Sequence, residues 1–186
     1  MEDCGATLPS DSAAEEKMAS WLRNQGAGNF ALLNPGAGWA AKQWPAERYA
    51  EVAKQLVKEG LSSLINFSPA EEAMARAVEF ASGGAAKAIA CSITELIALT
   101  RRARLFIGGD TGPMHLAAAL QVPVVAIFGP TNPARNGPYG VKNIVLRSDA
   151  SPTSYSHTNE ADPGLLQIQP EQVMQAAREL LKEGRG

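Results

Sequence analysis

Short runs of apolar residues recur along this chain without the polar–apolar alternation of a half-exposed strand. Phe30-Ala31-Leu32-Leu33 and Leu105-Phe106-Ile107 are two of them, and residues 122–128, rich in β-branched Val122, Val124, Val125 and Ile127, are the strongest. A strand apolar on both sides must be covered on both sides. Between the runs, apolar residues return at helical spacing: Tyr49, Val52, Ala53 and Leu56, then Ala70, Ala73, Met74 and Ala77, then Ile93, Leu96 and Ile97. Strands alternating with amphipathic helices mean a parallel sheet shielded on both faces. The pattern predicts an α/β fold, a doubly wound, mostly parallel six-stranded Rossmann-like sheet with strands near 30–33, 61–67, 85–91, 105–107, 122–128 and 143–146. Such sheets take ligands in the crevice beyond the carboxyl ends of their strands. Residues that directly follow strands therefore carry the functional information.

The expected division places an interdomain linker and lead-in helix at residues 1–28, with Ala14, Met18, Trp21 and Leu22 along one side of the helix. Residues 29–186 form the Rossmann-like domain, closed by a C-terminal helix that Pro170 opens and that turns Val173, Ala177, Leu180 and Leu181 inward. Residues 148–165, polar and rich in Pro, Ser and Thr, read as loop. The 186 residues are 45% hydrophobic and 19% charged, which supplies a core and rules out a disordered chain. A net charge of −2 argues against a nucleic-acid partner. No apolar run reaches the roughly 18 residues of a membrane-spanning helix, and the acidic start Met1-Glu2-Asp3-Cys4 is not a signal peptide. The two cysteines, Cys4 and Cys91, lack any CxxC spacing, so neither a disulfide framework nor a zinc site is supported. A cytoplasmic domain is expected.

Three segments carry chemistry. Asn34-Pro35-Gly36-Ala37-Gly38-Trp39-Ala40-Ala41-Lys42-Gln43-Trp44-Pro45 follows the first strand. Gly36 and Gly38 let backbone approach a ligand, and Lys42 adds a positive charge, although a plain turn with a solvated lysine fits as well. Gly36-x-Gly38-x-x-Ala41 also matches the loose dinucleotide fingerprint. The helix after it starts too late, near Pro45, and the second strand ends in Asn66-Phe67-Ser68 with no acid for a ribose. The second segment, Gly108-Gly109-Asp110-Thr111-Gly112-Pro113-Met114-His115, follows the fourth strand. Asp110 or Thr111 can cap the helix that Pro113 opens, Gly112 leaves its first turn bare, and His115 lies about one turn in. A helix N-terminus of this kind suits a phosphate. The third, residues 128–140, is stiffened by Pro130, Pro133 and Pro138, and its Thr131 carries a hydroxyl suited to a phosphate.

Glu95 admits two readings. Ser92-Ile93-Thr94-Glu95 is a capping box, which explains the glutamate by itself. The same carboxylate lies beyond a strand end, where it can accept bonds from ribose hydroxyls. There is no P-loop, no nucleophile elbow, no histidine-rich metal set (the two histidines are His115 and His157) and no acid/base pair of carboxylates.

Taken together, Asn34-Pro35-Gly36-Ala37-Gly38 with Lys42 and Trp44-Pro45, then residues 109–119, then Phe128-Gly129-Pro130-Thr131-x-Pro133-x-Arg135 and Gly137-Pro138-Tyr139-Gly140, resemble the C-terminal half of glycosyltransferase family 9, the ADP-heptose:lipopolysaccharide heptosyltransferases. The resemblance covers about residues 32–181. It implies one half of a GT-B enzyme, in which two Rossmann-like domains face a cleft and the C-terminal one holds an ADP-sugar donor. By that resemblance Lys42 neutralises the diphosphate, Gly36 and Gly38 shape its loop, and Thr111, Gly112 and Pro113 line the phosphate-binding turn. Asp110 and His115 orient the donor sugar and phosphates, and Glu95 holds the ribose. No metal or other cofactor is implied. The catalytic base is an aspartate of the acceptor-binding domain, which on this reading lies outside the chain, so the chain alone transfers little or no sugar. The acceptor is lipopolysaccharide or a related glycan, and the full-length enzyme is cytoplasmic, peripheral at the inner membrane. Two other classes stay open: an NAD(P)-linked oxidoreductase domain using Gly36 and Gly38, and a non-catalytic nucleotide-binding module.

Overall fold

The computed structural model describes residues 8–154 and 160–183; Cys4, His157 and residues 1–7 of the expected lead-in lie outside them. The elements alternate as the apolar periodicity predicts. They are α1 (Ser12–Gln25), β1 (Phe30–Asn34), α2 (Ala46–Lys58), β2 (Ser62–Phe67), α3 (Glu72–Ala81), β3 (Ala86–Ala90), α4 (Ile93–Thr100) and β4 (Leu105–Gly108). There follow α5 (Gly112–Ala119), β5 (Val124–Phe128), the single turn α6 (Pro133–Asn136), β6 (Asn143–Arg147) and α7 (Pro170–Glu183). One six-stranded sheet runs β3-β2-β1-β4-β5-β6, and every pairing is parallel. The chain winds outward from β1 to β3, then returns to β4 beside β1 and winds the other way. The reversal lies between β1 and β4, where a doubly wound sheet opens a crevice at its carboxyl edge.

The uniformly apolar strands have a direct cause. Successive side chains point to opposite faces, and both faces are buried. Leu33, Ile65, Ile107 and Val125 pack under α2, α3 and α7, whereas Leu32, Leu64, Phe106 and Val124 pack under α1, α4 and α5. The edge strands depart from the rule: Lys87 and Ala90 of β3 are exposed and β6 is only half-buried. That is why the 85–91 run is weaker in sequence than the central ones.

Caps and anchors set the helix positions. Asp11 accepts from the N–H groups of Ala13 (3.0 Å) and Ala14 (3.2 Å), and Gly26 ends α1 in the left-handed region at φ 64°. Far from being loosely attached, α1 buries Met18 in the second layer, and Glu15 bridges Arg101 (2.7 Å) and Arg102. Pro45 occupies the cap position of α2 rather than its first turn. Before it, the indole of buried Trp44 donates to the Ile168 carbonyl (3.0 Å) and its ring meets Tyr49 edge-on at 4.9 Å. The described residues of the 148–165 stretch do more than link two elements. Its end tucks Leu165 into the core, and buried Asp162 accepts from the Ser151 hydroxyl and the Leu165 N–H.

Phe106 sits fully buried in the middle of the sheet. Phe106→Ala is expected to remove about 3–5 kcal/mol from the unfolding free energy, read as a lower urea midpoint; a shift under ~1 kcal/mol would contradict this account of the second layer.

Candidate functional site

Two loops flank the reversal point. The β1 loop carries Gly36, Gly38 and a 3-10 turn, Ala40–Lys42; the β4 loop carries Gly109, Asp110 and Thr111. They meet at Asp110. Lys42 Nζ donates to the Asp110 carbonyl at 2.7 Å and to its Oδ2 at 3.0 Å. Asn136, from α6, donates its side-chain N–H to the same oxygen at 2.9 Å. His115 Nε2 stands 3.5 Å from Oδ1. The Lys42 ammonium also lies 4.7 Å from the centre of the Trp39 ring. Lysine, aspartate, asparagine and histidine thus form one cluster, with the Lys42 side chain 13% and Asp110 7% exposed.

Burial by itself would raise the Asp110 carboxyl, but the hydrogen bonds from Asn136 and Lys42, with the lysine's charge, outweigh it and hold the group below its ordinary value. The Thr131 hydroxyl lies close enough to add to this, yet it is buried and makes no well-formed hydrogen bond with any protein group. The cluster sits beside the N-terminus of α5. Thr111 takes the cap position, but its hydroxyl donates to Asn34 Oδ1 at 2.8 Å instead of accepting from the helix. The amino end of α5 therefore lacks a side-chain cap, and its partial positive charge faces the crevice. Nothing lies within 4 Å of where a Cβ would stand on Gly38 or Gly112. Both bare positions border open space rather than packed protein.

Next to this point is a cavity of about 370 Å³. Phe67, Leu96, Pro113 and Leu116 give it apolar walls; Asn66, Ser68, Glu71 and Ser92 supply polar groups. The Cys91 thiol at its edge is pushed up to about 12 by burial and by nearby Glu95. A smaller cavity lined by Asn29, Glu59 and Arg104 lies at the opposite, amino-terminal edge of the sheet. Among the described residues no group of three or more His, Cys, Asp or Glu is placed to hold a metal ion.

The carboxylates of Glu95 and Glu71 stand differently toward this cavity. Glu95 does not line the cavity. It closes the capping box on the Ser92 N–H (2.8 Å) and pairs with Lys17, and this lysine, then the Ser92 N–H, holds its carboxyl low. Glu71, which sequence reasoning passed over, lines the cavity and lies against Gly36, where an added Cβ would stand 2.2 Å from its Oε1. The signal was present: Ser68-Pro69-Ala70-Glu71 is the same S-x-x-E pattern, one strand earlier. Asn136 was also missed as a site residue, because an asparagine in a loop of prolines announces no partner.

The sequence profile of "Glycosyltransferase family 9 (heptosyltransferase)" matches residues 4–163. The chain belongs to glycosyltransferase family 9. Its relatives in that family include lipopolysaccharide heptosyltransferase 1 of Pseudomonas aeruginosa, 37% identical over 116 residues, which cover 61% of this chain and 32% of that protein. Lipopolysaccharide heptosyltransferase 2 of Salmonella typhimurium is 31% identical over 80% of this chain and 46% of its own length. The chain thus spans less than half the length of these curated family 9 relatives. Among solved structures, the E. coli heptosyltransferase WaaC with ADP matches at TM-score 0.70 and 26% identity over 94% of this chain and 51% of that one. Neighbours that share the parallel sheet include GT-B glycosyltransferases.

Asp110→Asn removes the anionic partner of a largely buried ammonium and is expected to lower stability by about 3 kcal/mol at neutral pH. Because the Asp110 carboxyl is held below 3.8, its contribution is complete above that value and disappears as pH falls through the lowered one. The variant's loss should therefore shrink in acid denaturation curves below about pH 4; a pH-independent loss would contradict the ion-pair account.

Proposed function

We propose that this chain carries the donor-binding half of an inverting heptosyltransferase of lipopolysaccharide core or related glycan synthesis, with an ADP-sugar, ADP-heptose foremost, as its ligand. The observation that carries the reading is the placement of the Lys42–Asp110 cluster at the uncapped amino end of α5, directly beside an apolar-walled cavity. A diphosphate suits the first place and a nucleoside the second. Family membership supplies the reaction class, and the ADP named with WaaC supplies the nucleotide.

On this reading the pyrophosphate lies between Lys42 and the first turn of α5. Charge growing on the leaving diphosphate is stabilised by an ammonium and a helix end that are already in place, so no metal or other cofactor is required. Asp110 fixes Lys42, while His115 and the other Asp110 oxygen face the donor's sugar and phosphates. Thr111, Gly112 and Pro113 shape the phosphate turn, and Gly36 and Gly38 keep its opposite wall thin. Glu71 takes the ribose role for which Glu95 was the first candidate, since the cavity admits Glu71 and leaves Glu95 with Lys17. The base that deprotonates the acceptor hydroxyl comes from an acceptor-binding domain, and attack inverts the anomeric carbon. The partners are then lipopolysaccharide or a related glycan and that second domain, in a cytoplasmic enzyme peripheral to the inner membrane. The glycine pattern Gly36-x-Gly38 does not favour a nicotinamide cofactor, because α2 begins only at Ala46.

Lys42→Ala should weaken ADP binding about 10- to 100-fold in calorimetry, because a charge-assisted hydrogen bond is lost and Asp110 is left unneutralised beside the phosphates. Unchanged affinity would remove Lys42 from the site. A preference for NADH over ADP would favour the oxidoreductase class instead.

A further inference from the structure

The turn that carries Lys42 closes through backbone bonds, from the Lys42 N–H to the Trp39 carbonyl (3.1 Å) and from the Gln43 N–H to the Ala40 carbonyl (3.0 Å). Trp39, at the cap position, adds no side-chain capping bond. The middle residue, Ala41, is buried, and its carbonyl is met by segments from far along the chain. The Asp162 N–H donates to it at 3.4 Å. Gly129, directly after β5, packs against the same place: a Cβ there would stand 3.2 Å from the Ala41 oxygen and 3.4 Å from the Asp162 Cβ. Asp162 is itself held. Its buried Oδ1 accepts from the Ser151 hydroxyl at 2.5 Å and from the Leu165 N–H at 2.8 Å. Leu165 is fixed in the core, and Arg147, the last residue of β6, donates to the Ser151 carbonyl (3.0 Å) and to the Gly129 carbonyl (3.1 Å). Connected contacts thus run from β6 and from the core to the peptide that precedes Lys42. An aspartate that served only to close its own loop would need the Ser151 and Leu165 bonds alone; the contacts with Ala41 and Gly129 tie this one to the site.

We infer that Asp162 is a positioning residue for Lys42, holding through the Ala41 carbonyl the turn from which the lysine reaches its ligand. The inference rests on the reading of Lys42 as the partner of a diphosphate. Asp110 fixes the ammonium end of the Lys42 side chain, and Asp162 fixes the backbone end. The stem between them is flexible, so the ammonium is held ready for a phosphate only when both ends are set. Without the brace the Ala40–Lys42 turn loosens, and the lysine has to be ordered again as the ligand binds. The bonds to Asp162 Oδ1 call for an acceptor oxygen rather than a charge, and an asparagine can supply that oxygen.

The test is calorimetry with ADP on the wild-type chain, Asp162→Ala, Lys42→Ala and the double variant. Asp162→Ala is expected to weaken ADP binding about 5-fold or more when Lys42 is present and less than about 2-fold when Lys42 is already alanine, because a residue that acts through the lysine then has nothing left to position. Asp162→Asn keeps an acceptor for Ser151 and Leu165 and should bind ADP within about 2-fold of wild type. Gly129→Ala, whose methyl would press the Ala41 carbonyl and Asp162 apart, gives the same readout if Asp162→Ala does not fold. Equal losses in both backgrounds would overturn the role and leave Asp162 a loop anchor. So would wild-type affinity in an Asp162→Ala protein that melts lower, or an asparagine variant that binds no better than the alanine one. Lys42→Ala protein that binds ADP as tightly as wild type would overturn the diphosphate reading itself, and this inference with it.

Discussion

The Asp110 carboxylate is the point on which the candidate site depends. It collects Lys42 from the loop after β1 and Asn136 from the turn after β5, and it stands beside His115 on α5. Only Asp110 and His115 are close in sequence; Lys42 and Asp110 are 68 residues apart. One anion, held low by its neighbours in spite of burial, fixes the direction of an ammonium that would otherwise be a mobile surface charge. An ammonium already in place loses less conformational freedom when a diphosphate arrives, which is the advantage of preorganisation.

The sheet makes that meeting possible. Because the chain reverses between β1 and β4, the loops that leave these adjacent strands turn to opposite sides and leave a gap. Leu33 beside Ile107 and Leu32 beside Phe106 keep the two strands in register, so Asn34 and Gly108 end level with each other. Gly108 is required there: a Cβ would stand 3.0 Å from the Asn34 carbonyl and 2.9 Å from the Phe106 ring. The Tyr49 hydroxyl, on the buried side of α2, donates to that same carbonyl at 3.3 Å. Packing in both layers thus converges on the two strand ends that carry the site.

What could be read from the sequence follows from what is local. Buried strands such as Val124–Phe128 are legible because burial on both faces leaves a continuous apolar run, and the helices are legible because their period differs. Lys42, Asp110 and His115 were legible as residue types after strand ends, but their mutual contacts were not, since a single sequence does not display long-range pairing. Glu95 and Glu71 show the limit most clearly. Both close S-x-x-E boxes after neighbouring strands, and long-range contacts separate them: the β1 loop brings Gly36 against Glu71, whereas Glu95 pairs with Lys17. Thr111 could be assigned to the cap position but not to its partner, because Asn34 lies 77 residues earlier.

The central claim is that an uncapped helix end and a tethered ammonium together grip a pyrophosphate. A crystal soaked with ADP tests it most directly. The account predicts diphosphate density between Lys42 and the first turn of α5, with the base in the cavity walled by Leu96 and Pro113. Ordered nucleotide density at any other place on the chain would contradict it.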